Sequence, residues 1–457
     1  MNINLPVLKT SIILAGSLLL GPYVAADEGE ESHRAPHLLP FPNPSGFAAT
    51  FSAGHGIDSD NPFFQNLGSN GRSCATCHQQ ADGWTVIPAH IQQRFEASGG
   101  TDPIFRSNDG ANSPNADVST VAARRNAYGM LLSKGLIRIG IGIPLNAEFE
   151  LIGVDDPYGF ASAQELSLFR RPLPTTNLNF LSTVMWDARE TFKDPASPDC
   201  IVGGGTCFAS IRFDLADQAN VATLGHAQGT QALSDAQRAA IVTFETQLST
   251  AQVFDNAARS LHGHGARGGP KSLADETFYF GINDVVSGDY RSQAPFNPMV
   301  FDLYQTWRDI EDSREVSGSA ADAKHASGVK RARHAIARGE ALFNSKPIQI
   351  VGVKGLNDEL NIPLLQGTCT TCHDAPNAGN HSIPAPLDIG LTDAVRRAPD
   401  MPLYTLRNKL TQQTIQITDP GRALITGKWK DIARFKGPVL RALACRAPYS
   451  TTASPAT

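Results

Sequence analysis

Cys74-Ala75-Thr76-Cys77-His78 recurs as Cys369-Thr370-Thr371-Cys372-His373. Two cysteines three positions apart with a histidine directly after the second form the attachment pattern of c-type haem. The cysteines add across the porphyrin vinyl groups as thioethers, and the tethered histidine is brought to the iron as its first axial ligand. The repeat therefore predicts two covalently bound haem c groups, with His78 and His373 as iron ligands. A four-cysteine zinc site or a pair of redox dithiols would use the same cysteines but leaves the histidine after each pair unexplained.

Working outward, Lys9 precedes an apolar run from Ser11 to Leu20, and Val24-Ala25-Ala26 supplies small residues before Asp27. This order reads as a secretory signal peptide over 1–26, with periplasmic export and no transmembrane segment after cleavage. In an oxidising compartment the remaining cysteines sort as follows. Cys200 and Cys207 flank a glycine-rich loop suited to a small disulfide ring. Cys445 follows the apolar run Val439–Ala444 and reads as a buried small hydrophobe.

The chain has 457 residues, a formal net charge of −5 and 41% hydrophobic residues. This is enough apolar material for sizeable cores, and the charge gives no electrostatic basis for binding nucleic acid. Ser234-Asp235-Ala236-Gln237 is a capping-box pattern, with Ile241, Phe244 and Leu248 at helical spacing behind it. A further helix is expected through Arg338–Phe343, before the second haem motif. No strong period-2 pattern stands out, so the expected fold is mainly α: two cytochrome c-type haem domains with long loops and a connecting subdomain. The expected boundaries are 27–250 for the N-terminal haem domain, 251–330 for the connecting subdomain and 331–457 for the C-terminal haem domain. His262 and His264, in the glycine-rich part of the connecting region, read as a solvated pair.

Taken with the haem motifs, three further stretches carry a resemblance: Met185-Trp186-Asp187-Ala188-Arg189, Leu215-Ala216-Asp217-Gln218-Ala219, and Phe435-Lys436-Gly437-Pro438-Val439-Leu440-Arg441. Over roughly residues 60 to 449 the chain resembles the bacterial dihaem cytochrome c peroxidases, a family that includes the dihaem enzyme maturing tryptophan tryptophylquinone. The resemblance implies that the His78 haem reacts with peroxide and that the His373 haem relays electrons from a small redox protein. It implies a tryptophan between the haems at Trp186, whose other reading is a packing aromatic. It also implies a distal-pocket glutamine at Gln218, read alternatively as a core glutamine, and a calcium ion between the domains. Asp187 and Arg189 read as a structural ion pair.

Two departures qualify this expectation. The stretch Asn220–Gln228, where the family places the glutamate that moves a proton between peroxide oxygens, contains no carboxylate. His226 is the leading substitute, as a proton shuttle or as an iron ligand, and His90 is another candidate sixth ligand. Where the family continues Ala-Pro-Tyr with Phe-His-Asn-Gly, this chain reads Ala447-Pro448-Tyr449-Ser450-Thr451-Thr452-Ala453. Ser-Thr-Thr-Ala is what the codons UUC CAC AAC GGC encode after loss of one U, so a truncated or frameshifted C-terminus is expected. Met401 and His381 are then candidates for the sixth position of the second haem.

The function expected from the sequence is a periplasmic dihaem c-type oxidoreductase that reduces peroxide. The alternatives are a non-catalytic dihaem electron-transfer cytochrome and a dihaem oxygenase acting on an organic substrate, as in the rubber oxygenases the chain also resembles.

Overall fold

The Pro44-Ser45 turn closes a hairpin between strands Leu38–Asn43 and Gly46–Ser52, and Gly46 leaves it at a φ of +139° that a side chain rarely tolerates. The second strand then pairs antiparallel with Leu248–Asp255, some two hundred residues later, and Arg259–Ser260 adds a fourth short strand. The register places Thr50 opposite Thr250, and their hydroxyls hydrogen-bond at 2.9 Å. The computed structural model describes residues 34–35, 38–54, 56–196, 205–310 and 320–447. The expected signal peptide, Cys200 of the expected disulfide and the C-terminal residues expected to be altered lie outside the described residues.

A three-stranded sheet is built from Thr414–Ile417, Leu403–Asn408 and Phe149–Asp155, in that order. Two-stranded ladders join Ile137–Ile141 to Leu166–Arg170 and Ile348–Val351 to Leu364–Gly367. With 28% of residues helical and 19% in antiparallel strands, the fold is mixed α/β and not mainly α as expected. The physical reason lies in burial. All five residues of Leu166–Arg170 are enclosed, as are the first four of Leu248–Asp255. Strands covered on both faces carry no alternation of apolar and polar residues to betray them.

The expected helices form. Ser234 Oγ accepts from Gln237 N at 3.2 Å while Gln237 Oε1 accepts from Ser234 N at 2.9 Å, and the helix Asp235–Gln247 buries Ile241 and Phe244. Helix Gly205–Gly225 packs beside it, and helix Ala320–Ser345 precedes the second haem motif. Among the described residues no helix is long and apolar enough to cross a membrane.

From Arg34 onward the chain forms one compact unit. Strand Phe149–Asp155 pairs with Leu403–Asn408, and strand Leu248–Asp255 runs through the boundary expected at 250, so pairing crosses both intended divisions. One core cluster joins Leu178, Leu215, Val242, Leu273, Ala378 and Val439, which places the loop after the second motif against the helices that follow the first. Cys445 is buried with Phe41, Ala48 and Ala442, as a small hydrophobe would be.

Candidate haem sites

Each motif folds into the same local device. Thr76 Oγ1 accepts from Ser73 N at 3.0 Å, Cys74–Thr76 forms a turn of 3₁₀ helix, and His78 N bonds Cys74 O at 3.0 Å. In the second motif Thr371 Oγ1 accepts from Thr368 N at 2.9 Å and Cys369–Thr371 forms the equivalent 3₁₀ turn. His78 Nδ1 then lies 3.1 Å from Trp84 O, and His373 Nδ1 lies 2.6 Å from Gly379 O, each partner six residues on. A carbonyl oxygen only accepts, so in both histidines Nδ1 carries the proton and Nε2 keeps the lone pair a metal needs. A phenylalanine ring stands by each imidazole: Phe63 at 6.4 Å and Phe343 at 5.9 Å between centroids.

The backbone is shaped to deliver those carbonyls. Trp84 adopts φ +63°, unusual for a bulky residue, and is pinned by its indole N–H on Thr50 Oγ1 at 2.8 Å. Gly379 occupies φ +74°, where glycine pays no steric penalty.

Protonation states agree with ligation. Burial lowers His78 to about 4, against the opposing Trp84 hydrogen bond and with help from His226, and burial likewise lowers His373. Burial pushes Cys74 up to about 12 and Cys372 up to about 11. Thiols held so far from ionisation are poor redox dithiols, which weighs against that reading of the motifs.

Cys74, Cys77 and His78 form one wall of a largely apolar cavity of about 1530 Å³, counted to its mouth. Gln218, Ala222 and His226 contribute another wall, because four-residue steps share one face of helix Gly205–Gly225 and His226, just past its end, still donates its N–H to Ala222 O at 2.8 Å. Trp186 also lines the cavity, its indole N–H bound to Arg171 O at 2.8 Å. The distal candidates His226 and Gln218, and Trp186, expected between the haems, thus meet in one space with the first Cys-x-x-Cys-His motif.

His226 is anchored from behind. Its Nδ1 lies 2.6 Å from Asp109 Oδ2, and Arg72 holds Asp109 Oδ1 at 2.5 Å while its other nitrogens bond Pro103 O and Ile104 O at 2.7 Å each. Burial alone would raise Asp109, but the His226 hydrogen bond and the Arg72 charge outweigh it and hold the carboxyl low. Asp187 and Arg189 form the expected pair at 3.1 Å, yet the centre of that network is Arg170, 2.5 Å from Asp187 and 2.7 Å from Asp419. His90 instead pairs with Asp82, away from the cavity walls.

The second motif faces neither this cavity nor the groove beside Phe343. His381 is buried near it, lowered to about 3 by burial and by the neighbouring His373. Gly437 packs so closely on the His381 ring that an added Cβ would stand 2.8 Å away, and Lys436 N bonds Trp186 O at 2.9 Å. A short packed corridor therefore runs from the first cavity to His381. Met401 is instead a packing residue, enclosed with Met130, Leu136 and Phe169.

The sequence did not single out Asp109, Arg72 or Glu245. Glu245 carried one signal, a carboxylate beside the apolar stripe of an amphipathic helix. Asp109 carried none, because its partner His226 lies 117 residues away. Among the described residues no cluster of three or more His, Cys, Asp or Glu side chains could hold a cation such as calcium. Haem iron does not need such a cluster, since the porphyrin supplies four of its ligands. Comparisons with protein-family models, curated proteins and solved structures find no match to this chain.

Proposed function

We propose that this chain is an exported dihaem c-type oxidoreductase that reduces peroxide, with the first cavity as its reacting site. The observation that carries the reading is the duplicated device, a 3₁₀ Cys-x-x-Cys turn whose histidine is oriented through Nδ1, one copy opening on a large apolar cavity opposite His226. The residues fit the cofactor. Cys74 with Cys77, and Cys369 with Cys372, would form the thioethers, and His78 and His373 would ligate iron through Nε2. Bound haem would supply the one-electron chemistry and the cleavage of the O–O bond.

The chain's own part is to bind, orient and move protons. Asp109 and Arg72 hold the His226 ring so that its remaining nitrogen serves the cavity, where a positioned imidazole can carry a proton between substrate oxygens. Trp186 stands where an aromatic ring can assist transfer from the second motif, since Lys436 and Gly437 connect it to His381, on which the charge of His373 acts. Electrons would come from a small redox protein.

One observation favours a second reading, a six-coordinate electron-transfer cytochrome. A histidine whose Nδ1 is held by a buried carboxylate is in the usual arrangement of a metal ligand. Low-temperature EPR of the purified protein separates the two. A high-spin ferric signal together with peroxide consumption by a reduced donor supports the peroxidase. Two low-spin signals with no turnover favour the cytochrome. A pyridine haemochrome assay without haem would overturn both.

A further inference from the structure

The acid that the Asn220–Gln228 stretch lacks is supplied to the first cavity by a different helix. Glu245, on Asp235–Gln247, lines the cavity, is 3% exposed, and its Oε2 is enclosed without a hydrogen-bond partner. A carboxyl group left in this state is costly to ionise unless something in the cavity compensates. We propose that Glu245 is the proton-exchanging acid of the cavity, binding a proton when the cofactor there gains an electron and releasing it when the electron leaves. This rests on the haem reading above.

The balance is simple. One electron arrives from an external one-electron reductant and one proton from water, the carboxylate becomes a carboxylic acid, and the net charge of the cavity is unchanged. Burial alone already brings Glu245 up to about 8. The positive ferric centre would lower that value and the added electron would let it rise again, so the two oxidation states bracket a window of pH.

The surrounding groups leave Glu245 as the free acid. Cys74, whose thiol is raised first by burial and then by the Glu245 charge, would become a thioether on attachment. Asp109 is closed into its network with Arg72 and His226, and the charge of Arg170 is taken up by Asp187 and Asp419. The other arginines on the cavity are Arg171, Arg189 and Arg446. Lys436 is a competitor, lowered to about 7 by burial with its Nζ on Thr183 O at 2.9 Å, and His226 is another through the nitrogen that Asp109 does not hold.

The test is a spectroelectrochemical titration of the holoprotein between pH 5 and 10. The potential of the first haem should fall by about 59 mV per pH unit inside the window, a tenfold change in proton concentration expressed for one electron. Glu245→Gln and, as a second variant, Glu245→Leu should abolish that slope, while Lys436→Met keeps it. A wild-type slope in both Glu245 variants, or its loss in Lys436→Met alone, would overturn the proposal. Absence of haem from the wild-type protein, read separately by haemochrome, would instead remove the functional reading beneath it.

Discussion

His226 and Asp109, 117 residues apart, are joined by a 2.6 Å contact that fixes which imidazole nitrogen serves the first cavity. Asp109→Asn should loosen that ring, with a loss of about 10–100-fold in ligation or turnover, the usual effect of removing such a partner. His226→Ala separates the two roles. As a proton shuttle, its loss slows peroxide cleavage by roughly 10²-fold or more at unchanged haem content. As a ligand, its loss turns a low-spin EPR signal high-spin and opens the iron to peroxide. Unchanged spectra with unchanged kinetics would leave His226 a structural residue.

Cys77→Ala and Cys372→Ala should each remove one haem. Intact mass and haemochrome absorbance would fall from two cofactors to one in either variant, and retention of both would disprove the thioether assignment.

Arg170 bridges Asp187 and Asp419, all three almost fully enclosed. Arg170→Met should strand buried carboxylates and destabilise the fold by about 3–5 kcal/mol, measured by denaturant unfolding. A loss below about 1 kcal/mol would mean that Arg189 alone suffices for Asp187.

Stability should fall in acid through His381. Its folded value is about 3 against an ordinary 6.5, so between these values the unfolded chain binds the proton and the native chain does not. Stability from this group is therefore complete above about pH 6.5 and is lost as pH drops toward 3. His381→Asn should flatten that part of the curve of unfolding free energy against pH, and an unaltered curve would assign the acid sensitivity elsewhere.

What the sequence determined by itself is local in range. The Cys-x-x-Cys-His turns, the Ser234–Gln237 capping box and the apolar face of Asp235–Gln247 depend on residues within a few positions of one another, so spacing alone exposes them. The sheets escaped because Leu166–Arg170 is buried on both faces and because Phe149–Asp155 finds its partner only at Leu403–Asn408. Only tertiary structure decided the rest: that His226 meets Asp109 opposite His78, that Glu245 enters the same cavity without a partner, and that Gly437 closes on His381. Each of those relations sets a proton or a ring orientation through burial and distance. These quantities arise when remote segments pack together, and no single stretch of chain encodes them.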